Sequence, residues 1–186
     1  MTRAGSSFAI RLATESDIPG LRSLIELSVR TLQKGDYTSE QIEGAIGHAL
    51  GLDTQLVQDG TYFAAELVGR EAVIVGSGGW SHRKTLFGSD HGPDRESALL
   101  DPAVDAAKIR AIFVHPDWSR RGLGTLLLET CENAAKFAGF TKFEMGSTLT
   151  GVPLYKLRGY QVIEPIAVPL PNGESLSVIR MAKSAT

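Results

Sequence analysis

Residues 109–140, IRAIFVHPDWSRRGLGTLLLETCENAAKFAGF, decide how the rest of the chain is read. Lys108 to Val114 is a β-branched and aromatic run that predicts a strand, and Pro116 ends it because proline cannot donate to a ladder. The chain then turns through Arg120-Arg121-Gly122-Leu123-Gly124. Leu123, Leu126, Leu127, Cys131, Ala134, Ala135 and Ala138 follow at helical spacing until Gly139 stops the helix. Two glycines one residue apart let the backbone turn tightly and let a ligand approach it. The first amides of a helix have no internal partner, and the positive end of the helix dipole lies behind them, which makes an anion site. Arg120 and Arg121 add positive charge beside it. The ligand is not an obvious nucleotide. A P-loop needs Gly-Lys-Ser/Thr, which is absent, and the dinucleotide fingerprint needs a third glycine where Leu127 stands. From Gly-x-Gly alone, a phosphate cradle and a plain turn into a helix both remain open.

Working outward, Phe8, Ile10 and Leu12 alternate with polar or small residues, which predicts a first strand. Thr14 and Asp17 form a capping-box pair ahead of a helix marked by Leu21, Leu24, Ile25, Val29 and Leu32 and ending near Lys34-Gly35. Thr38 with Gln41 is a second capping box, opening an amphipathic helix that runs to Leu50. Thr61–Val68 and Ala72–Val75 predict an antiparallel hairpin turning at Gly69-Arg70. Glycines 76, 78 and 79 in its second strand predict a bulge or a close approach by another backbone. Residues 81–106 are polar and aperiodic, a loop of a length uncommon unless it is functional. After the central helix come a strand at Lys142–Met145, a short helix at Val152–Arg158, and two strands, Gln161–Val168 and Ser175–Met181, joined through Pro171-Asn172-Gly173. Residues 1–7 read as a flexible start, and 8–184 as a single domain.

Composition sets the outer limits. The 186 residues carry 19 Lys and Arg against 21 Asp and Glu, a formal net charge of −2, which argues against a nucleic-acid binder. Cys131 is the only cysteine, so the sequence supports neither an intramolecular disulfide nor a multi-cysteine zinc site, no metal is expected, and a cytoplasmic location fits. No apolar run reaches the length of a signal peptide or a membrane span. The small net charge hides a division. Residues 107–159 hold eight basic and four acidic residues, a net of +4, and the remainder holds 11 basic and 17 acidic residues, a net of −6. A basic segment suits a polyanionic ligand, and the acidic remainder suits a cationic one.

The whole segment resembles the acetyl-CoA-binding motif of the GNAT superfamily of N-acetyltransferases. Val114-His115-Pro116 stands in the place of its V-x-P corner and Gly122-Leu123-Gly124 in the place of its glycines. One position departs, since Ser119 holds the place of an Arg or Gln. A second motif agrees. Val152-Pro153-Leu154-Tyr155-Lys156-Leu157-Arg158-Gly159-Tyr160 resembles the family's short helix with a tyrosine four residues before a Gly-aromatic pair. The resemblance spans about residues 8–181, with an acetyl-CoA motif at 109–140 and a tyrosine-bearing motif at 147–160. It implies an α/β (α+β) fold with a central mixed, mostly antiparallel twisted sheet of six to seven strands flanked by about four helices.

The resemblance also implies a reaction, direct transfer of an acetyl group from acetyl-CoA to a primary amine of a small molecule or peptide. A strand splayed from its neighbour would leave main-chain groups near Phe113 and Val114 free for the cofactor, and Ser119, Arg120, Arg121, Gly122, Leu123, Gly124 and Thr125 would hold its pyrophosphate. Tyr155 would protonate the departing thiolate. His82, His91, His115, Glu144 and Asp90 are the candidate bases, and the sequence singles out none. The acceptor site is expected to involve the first two helices, the residue 33–39 connection and the 81–106 loop, with Tyr37 and Trp80 as the aromatic residues placed to meet an acceptor. A homodimer through the last strands is the assembly the resemblance suggests. Transfer of another acyl group, such as succinyl, and a CoA-binding regulatory module without turnover are the alternatives.

Overall fold

In the computed structural model, which describes residues 8–69 and 73–185, seven strands form one sheet in the order β1-β2-β3-β4-β5-β7-β6. The strands are β1 (Phe8–Leu12), β2 (Tyr62–Leu67), β3 (Ile74–Ser81), β4 (Ala107–Val114), β5 (Lys142–Thr148), β6 (Gln161–Pro169) and β7 (Ser175–Ser184). The helices are α1 (Ile18–Leu32), α2 (Ser39–Ala45), α3 (Thr54–Gln58), α4 (Leu123–Phe137) and α5 (Val152–Leu157). All pairings are antiparallel except β4 with β5. The expected mixed, mostly antiparallel sheet with flanking helices is therefore present. The expected flexible start at 1–7, and the turn at Arg70 with Ala72 beyond it, lie outside the described residues.

Both capping boxes form. Thr14 and Asp17 close a short 3-10 turn that leads into α1, and the Thr38 hydroxyl accepts from the Gln41 amide at 3.1 Å while the Gln41 side chain accepts from the Thr38 amide at 3.0 Å. The second helix stops at Ala45 rather than reaching Leu50. Ile46 turns to extended backbone there, and Ala49 and Leu50 enter the core from a turn instead. The sequence reading missed α3, five residues begun by Asp53, whose carboxylate accepts from the Gln55 amide at 3.1 Å. So short a helix has too few turns to show an apolar period.

The glycines of β3 answer a packing need. A Cβ on Gly76 would sit 2.9 Å from Leu123 Cδ2 and 3.0 Å from Leu127 Cδ1, so α4 lies directly on the backbone of β3. The apolar face of α4 buries Leu123, Leu127, Leu128, Cys131 and Ala135 against β2, β3 and β4. On the opposite side of the sheet, α1 and the segments around α2 and α3 bury Leu21, Ile25, Val29, Ala45 and Leu56.

The long loop of residues 82–106 has a single bridge, Arg83 with Leu99, and is held by buried charge. Arg110 projects from β4 and is 3% exposed; it donates to Asp53 Oδ2 at 2.9 Å and to the Thr85 and Gly88 carbonyls at 3.0 and 2.7 Å. Arg95 reaches Asp53 Oδ1 at 3.0 Å, and Arg83 forms a two-pronged pair with Asp59 at 2.7 and 2.8 Å. Burial pulls the Arg110 guanidinium below its ordinary value, and Asp53 opposes that pull.

Candidate active site

The site is a gap in the sheet. The ladder between β4 and β5 has two rungs, Ala107 with Phe143 and Lys108 with Glu144, and beyond them the strands part. The last rung carries an ion pair between the same two residues, continued by Arg180 Nε donating to Glu144 at 2.6 Å. Burial works to raise the Glu144 carboxyl, but Lys108 and Arg180 together hold it below the usual carboxylate range. On its other side β4 stays paired with β3 as far as Val114, and β5 stays paired with β7 throughout. The opening is thus confined to one seam.

A bulge at Ala111 shapes the near wall. Ala111 has φ 51, in the left-handed region that costs an L-residue about 1–2 kcal/mol, and the β3–β4 register slips there. Tyr62 Oη lies 3.1 Å from the Ala111 carbonyl and 3.0 Å from Ser77 Oγ. A phenol has one proton, so Tyr62 donates to the carbonyl and accepts from the serine. Farther along, the His115 amide donates to the Val75 carbonyl at 2.8 Å. By the alternation of a strand, Phe113 also bonds toward β3, whereas the N–H and C=O of Val114 turn toward the gap. Of the two expected main-chain contacts, Val114 is the one whose polar groups face the opening.

The turn beyond β4 has the expected geometry. Arg120 (φ 60) and Gly122 (φ 84) take left-handed backbone, and Gly122 precedes the first turn of α4 without a side-chain cap. The Leu126 amide is the first to bond back, to Gly122, so the amides of Leu123, Gly124 and Thr125 have no partner within the helix. Ser119 is turned inward on its own corner, its hydroxyl donating to the Pro116 carbonyl at 2.8 Å. Arg121 stacks 4.7 Å over the Trp118 ring, Arg120 is exposed, and Thr125 Oγ1 accepts from Arg158 at 3.1 Å.

The gap opens into a cleft of about 560 Å³, mouth included. Its walls come from β4 (Ile109 to Phe113), β5 (Met145 to Thr148), Tyr155 of α5, Gln33, the Ala49–Gly51 turn and loop residues Leu86 to Gly88. Phe87 fits because Gly146 opposes it, where a Cβ would lie 2.8 Å from the ring. Tyr155 is 9% exposed and packs edge-on against Tyr160, with ring centroids 5.9 Å apart. Burial pushes its phenol well above the ordinary value near 10.

The sequence-derived acceptor residues sit elsewhere. The Tyr37 hydroxyl donates to the Ser177 carbonyl at 2.7 Å and accepts from the Leu149 amide at 2.8 Å, so it ties the α1–α2 connection to β7 and has no free proton for a ligand; burial pushes it up to about 12. Trp80 packs edge-on against Phe140 and His82 in the core and is absent from the cleft walls. Of the candidate bases, Glu144 is held in its ion pair at the closed end of the seam, and the other four are placed away from the cleft. His115 Nδ1 accepts from the Asp117 amide, His82 faces Asp59, Asp90 accepts from Thr54, and His91 lines a separate groove with Asp90. Gln33 and Leu86–Gly88 lie in the 33–39 connection and the 81–106 loop that the sequence assigns to the acceptor site, although neither was singled out as a residue, and the Ala49–Gly51 turn was read as the end of the second helix.

Among the described residues there is no group of three His, Cys, Asp or Glu side chains placed to hold a metal, and no helix long and apolar enough to cross a membrane. No curated protein matches the sequence. Residues 101–183 match the family model of the acetyltransferase (GNAT) domain. Among solved structures, the chain is similar to a GCN5-related N-acetyltransferase from Rhodopseudomonas palustris, with 23% identity, 99% of each chain covered and a TM-score of 0.71. It is also similar to the PaiA N-acetyltransferase from Thermoplasma acidophilum in complex with coenzyme A, with 15% identity, 96% of this chain and 99% of that one covered, and a TM-score of 0.63. A third likeness is to the ribosomal-protein-S18-alanine N-acetyltransferase from Escherichia coli, with 15% identity, 97% and 95% covered, and a TM-score of 0.60. At these identities the likeness is one of fold. Residues 101–183 thus match the GNAT acetyltransferase domain, in a chain that shares the fold of these N-acetyltransferases over almost its whole length.

Proposed function

We propose that this protein transfers the acetyl group of acetyl-CoA directly to a primary amine. The observation that carries the reading is the seam between β4 and β5. It is bordered by the free amides at the start of α4, the inward-turned N–H of Val114 and the Tyr155 side chain. The amides of Leu123 to Thr125, with Arg120 and Arg121 nearby, would take the pyrophosphate. The Val114 N–H would donate along the pantetheine arm or to the thioester carbonyl as it gains negative charge.

In the transfer the amine lone pair attacks the thioester carbon, the C–N bond forms and the C–S bond breaks. The CoA sulfur leaves as a thiolate that meets a hydrogen-bond donor in Tyr155. The surplus proton of the amine passes to water, since no carboxylate or imidazole lines the cleft. The direct test is calorimetric titration with acetyl-CoA, NAD and ATP, followed by thiol release on adding amines. Saturable binding of acetyl-CoA alone, with amine-dependent release of free CoA, is expected. Equal affinity for ATP, or release that ignores the amine, would overturn the reading.

A further inference from the structure

Gln33, the residue that caps the C-terminal end of α1, is 7% exposed and lines the cleft. Its Oε1 is buried with no hydrogen-bond partner, the one such side-chain atom among the described residues. Other buried polar side chains of the protein are met by partners. Tyr37, Tyr62, Asp53, Arg110 and Glu132 are all buried and all paired. An unmet buried acceptor is destabilising, and a native one calls for a reason. A second observation concerns the same cleft. Its walls include the apolar side chains of Leu50, Leu86, Phe87, Ile109 and Met145 beside Ser147 and Thr148, and the only titratable groups lining it are Arg110 and Tyr155. No carboxylate lines the cleft to hold an ammonium ion, and the charge of Arg110 is already taken up by Asp53 behind it. An acceptor that enters as the free base brings an N–H donor and no charge. Rotating the Gln33 amide exchanges Oε1 for Nε2 in place, and a donor selects the oxygen.

We propose that Gln33 Oε1 accepts a hydrogen bond from the acceptor amine and positions it, and that the cleft selects a primary amine carried on an uncharged, apolar body. This inference rests on the acetyltransfer reading. The test measures acetyl-CoA-dependent thiol release with 2-phenylethylamine and with spermidine, for the wild type, Gln33→Leu and Gln33→Glu. The wild type is expected to favour 2-phenylethylamine over spermidine at least tenfold in kcat/KM. Gln33→Leu should lower kcat/KM for 2-phenylethylamine at least tenfold, mainly through KM. Its acetyl-CoA Kd should stay within twofold and its melting temperature should be unchanged or raised, because an orphaned polar atom has been removed. Gln33→Glu places a carboxylate beside the amine, so the preference should move toward spermidine. Three results would overturn the proposal: acetyl-CoA binding without acetylation of 2-phenylethylamine, wild-type kinetics in Gln33→Leu, or activity lost in step with stability. If the wild type fails to bind acetyl-CoA in calorimetry, the acetyltransfer reading falls first and this inference falls with it.

Discussion

Tyr155 stands in the cleft with its phenol pushed up by burial, so its hydroxyl remains protonated throughout the neutral and mildly alkaline range. A thiol ordinarily titrates near 8.5, so complete transfer of the phenolic proton to a thiolate runs uphill. In the proposed transfer, the contribution of Tyr155 would then be a hydrogen bond aimed at the sulfur as it gains charge. Removing that hydroxyl should lower kcat about 100-fold in Tyr155→Phe while the acetyl-CoA Kd stays within twofold. A raised pKa keeps the active, protonated form to higher pH, so the wild-type kcat should show no falling alkaline limb below about pH 10. Steady-state kinetics over pH 6–10 would check both, and an unchanged kcat in the variant would remove Tyr155 from the reaction. Tyr155 was legible in the sequence because it lies within a local motif, Tyr155 to Tyr160. Gln33 fell within the 33–39 connection assigned to the acceptor site but was not singled out, and Ala111 was not legible. One is defined by a partner it lacks and the other by a backbone angle, and both arise only when distant segments meet.

At the scale of elements, the segment that begins at β4 combines a legible half with a hidden one. Strand, proline corner, glycine turn and helix follow from residue types at close spacing, and they appear with nearly the expected limits. The hidden half is the face of β4 that carries Arg110. In the run Lys108-Ile109-Arg110 an alternating pattern assigns the arginine to solvent, but the 82–106 loop covers that face and Asp53 meets the charge. The loop therefore depends on a buried ion pair, and through Leu86 to Gly88 so does one wall of the cleft. Arg110→Met should leave Asp53 buried with Arg95 as its remaining cation, at a cost of about 3 kcal/mol. For a chain of this size that corresponds to a fall of about 6–12 °C in Tm. The paired change Asp53→Leu with Arg110→Met removes both charges and should recover part of that loss, as a double-mutant cycle in scanning calorimetry would show. Strictly additive losses would mean that Arg110 acts through packing instead.

For the whole molecule, two rungs of the ladder join β1–β4 to β5–β7 across the sheet, and further contacts run through α4 and α5, through Tyr37 and α2 against β7, and through the side chains beside the seam. The basic segment of residues 107–159, with its net +4, contains most of that seam, so the charge division read from composition has a spatial counterpart. That the seam is open was not legible, because a missing ladder leaves no mark in either strand's own pattern. A ligand lying between β4 and β5 would supply the hydrogen bonds that these strands do not make to each other. Acetyl-CoA at 100 times its Kd should then stabilise the fold by about 2.7 kcal/mol, a rise of about 5–10 °C in Tm. The protection should also be local. Hydrogen exchange with and without acetyl-CoA should slow at residues 109–114 of β4 and at the first turn of α4, where amides lack partners, and should be unchanged in β1 and β6 at the two edges of the sheet. Slowing spread evenly from β1 to β6 would mean that the ligand tightens the fold in general. Slowing confined to the first turn of α4 would place the pyrophosphate there but leave the seam out of the binding site, and with it the route by which the thioester reaches Tyr155.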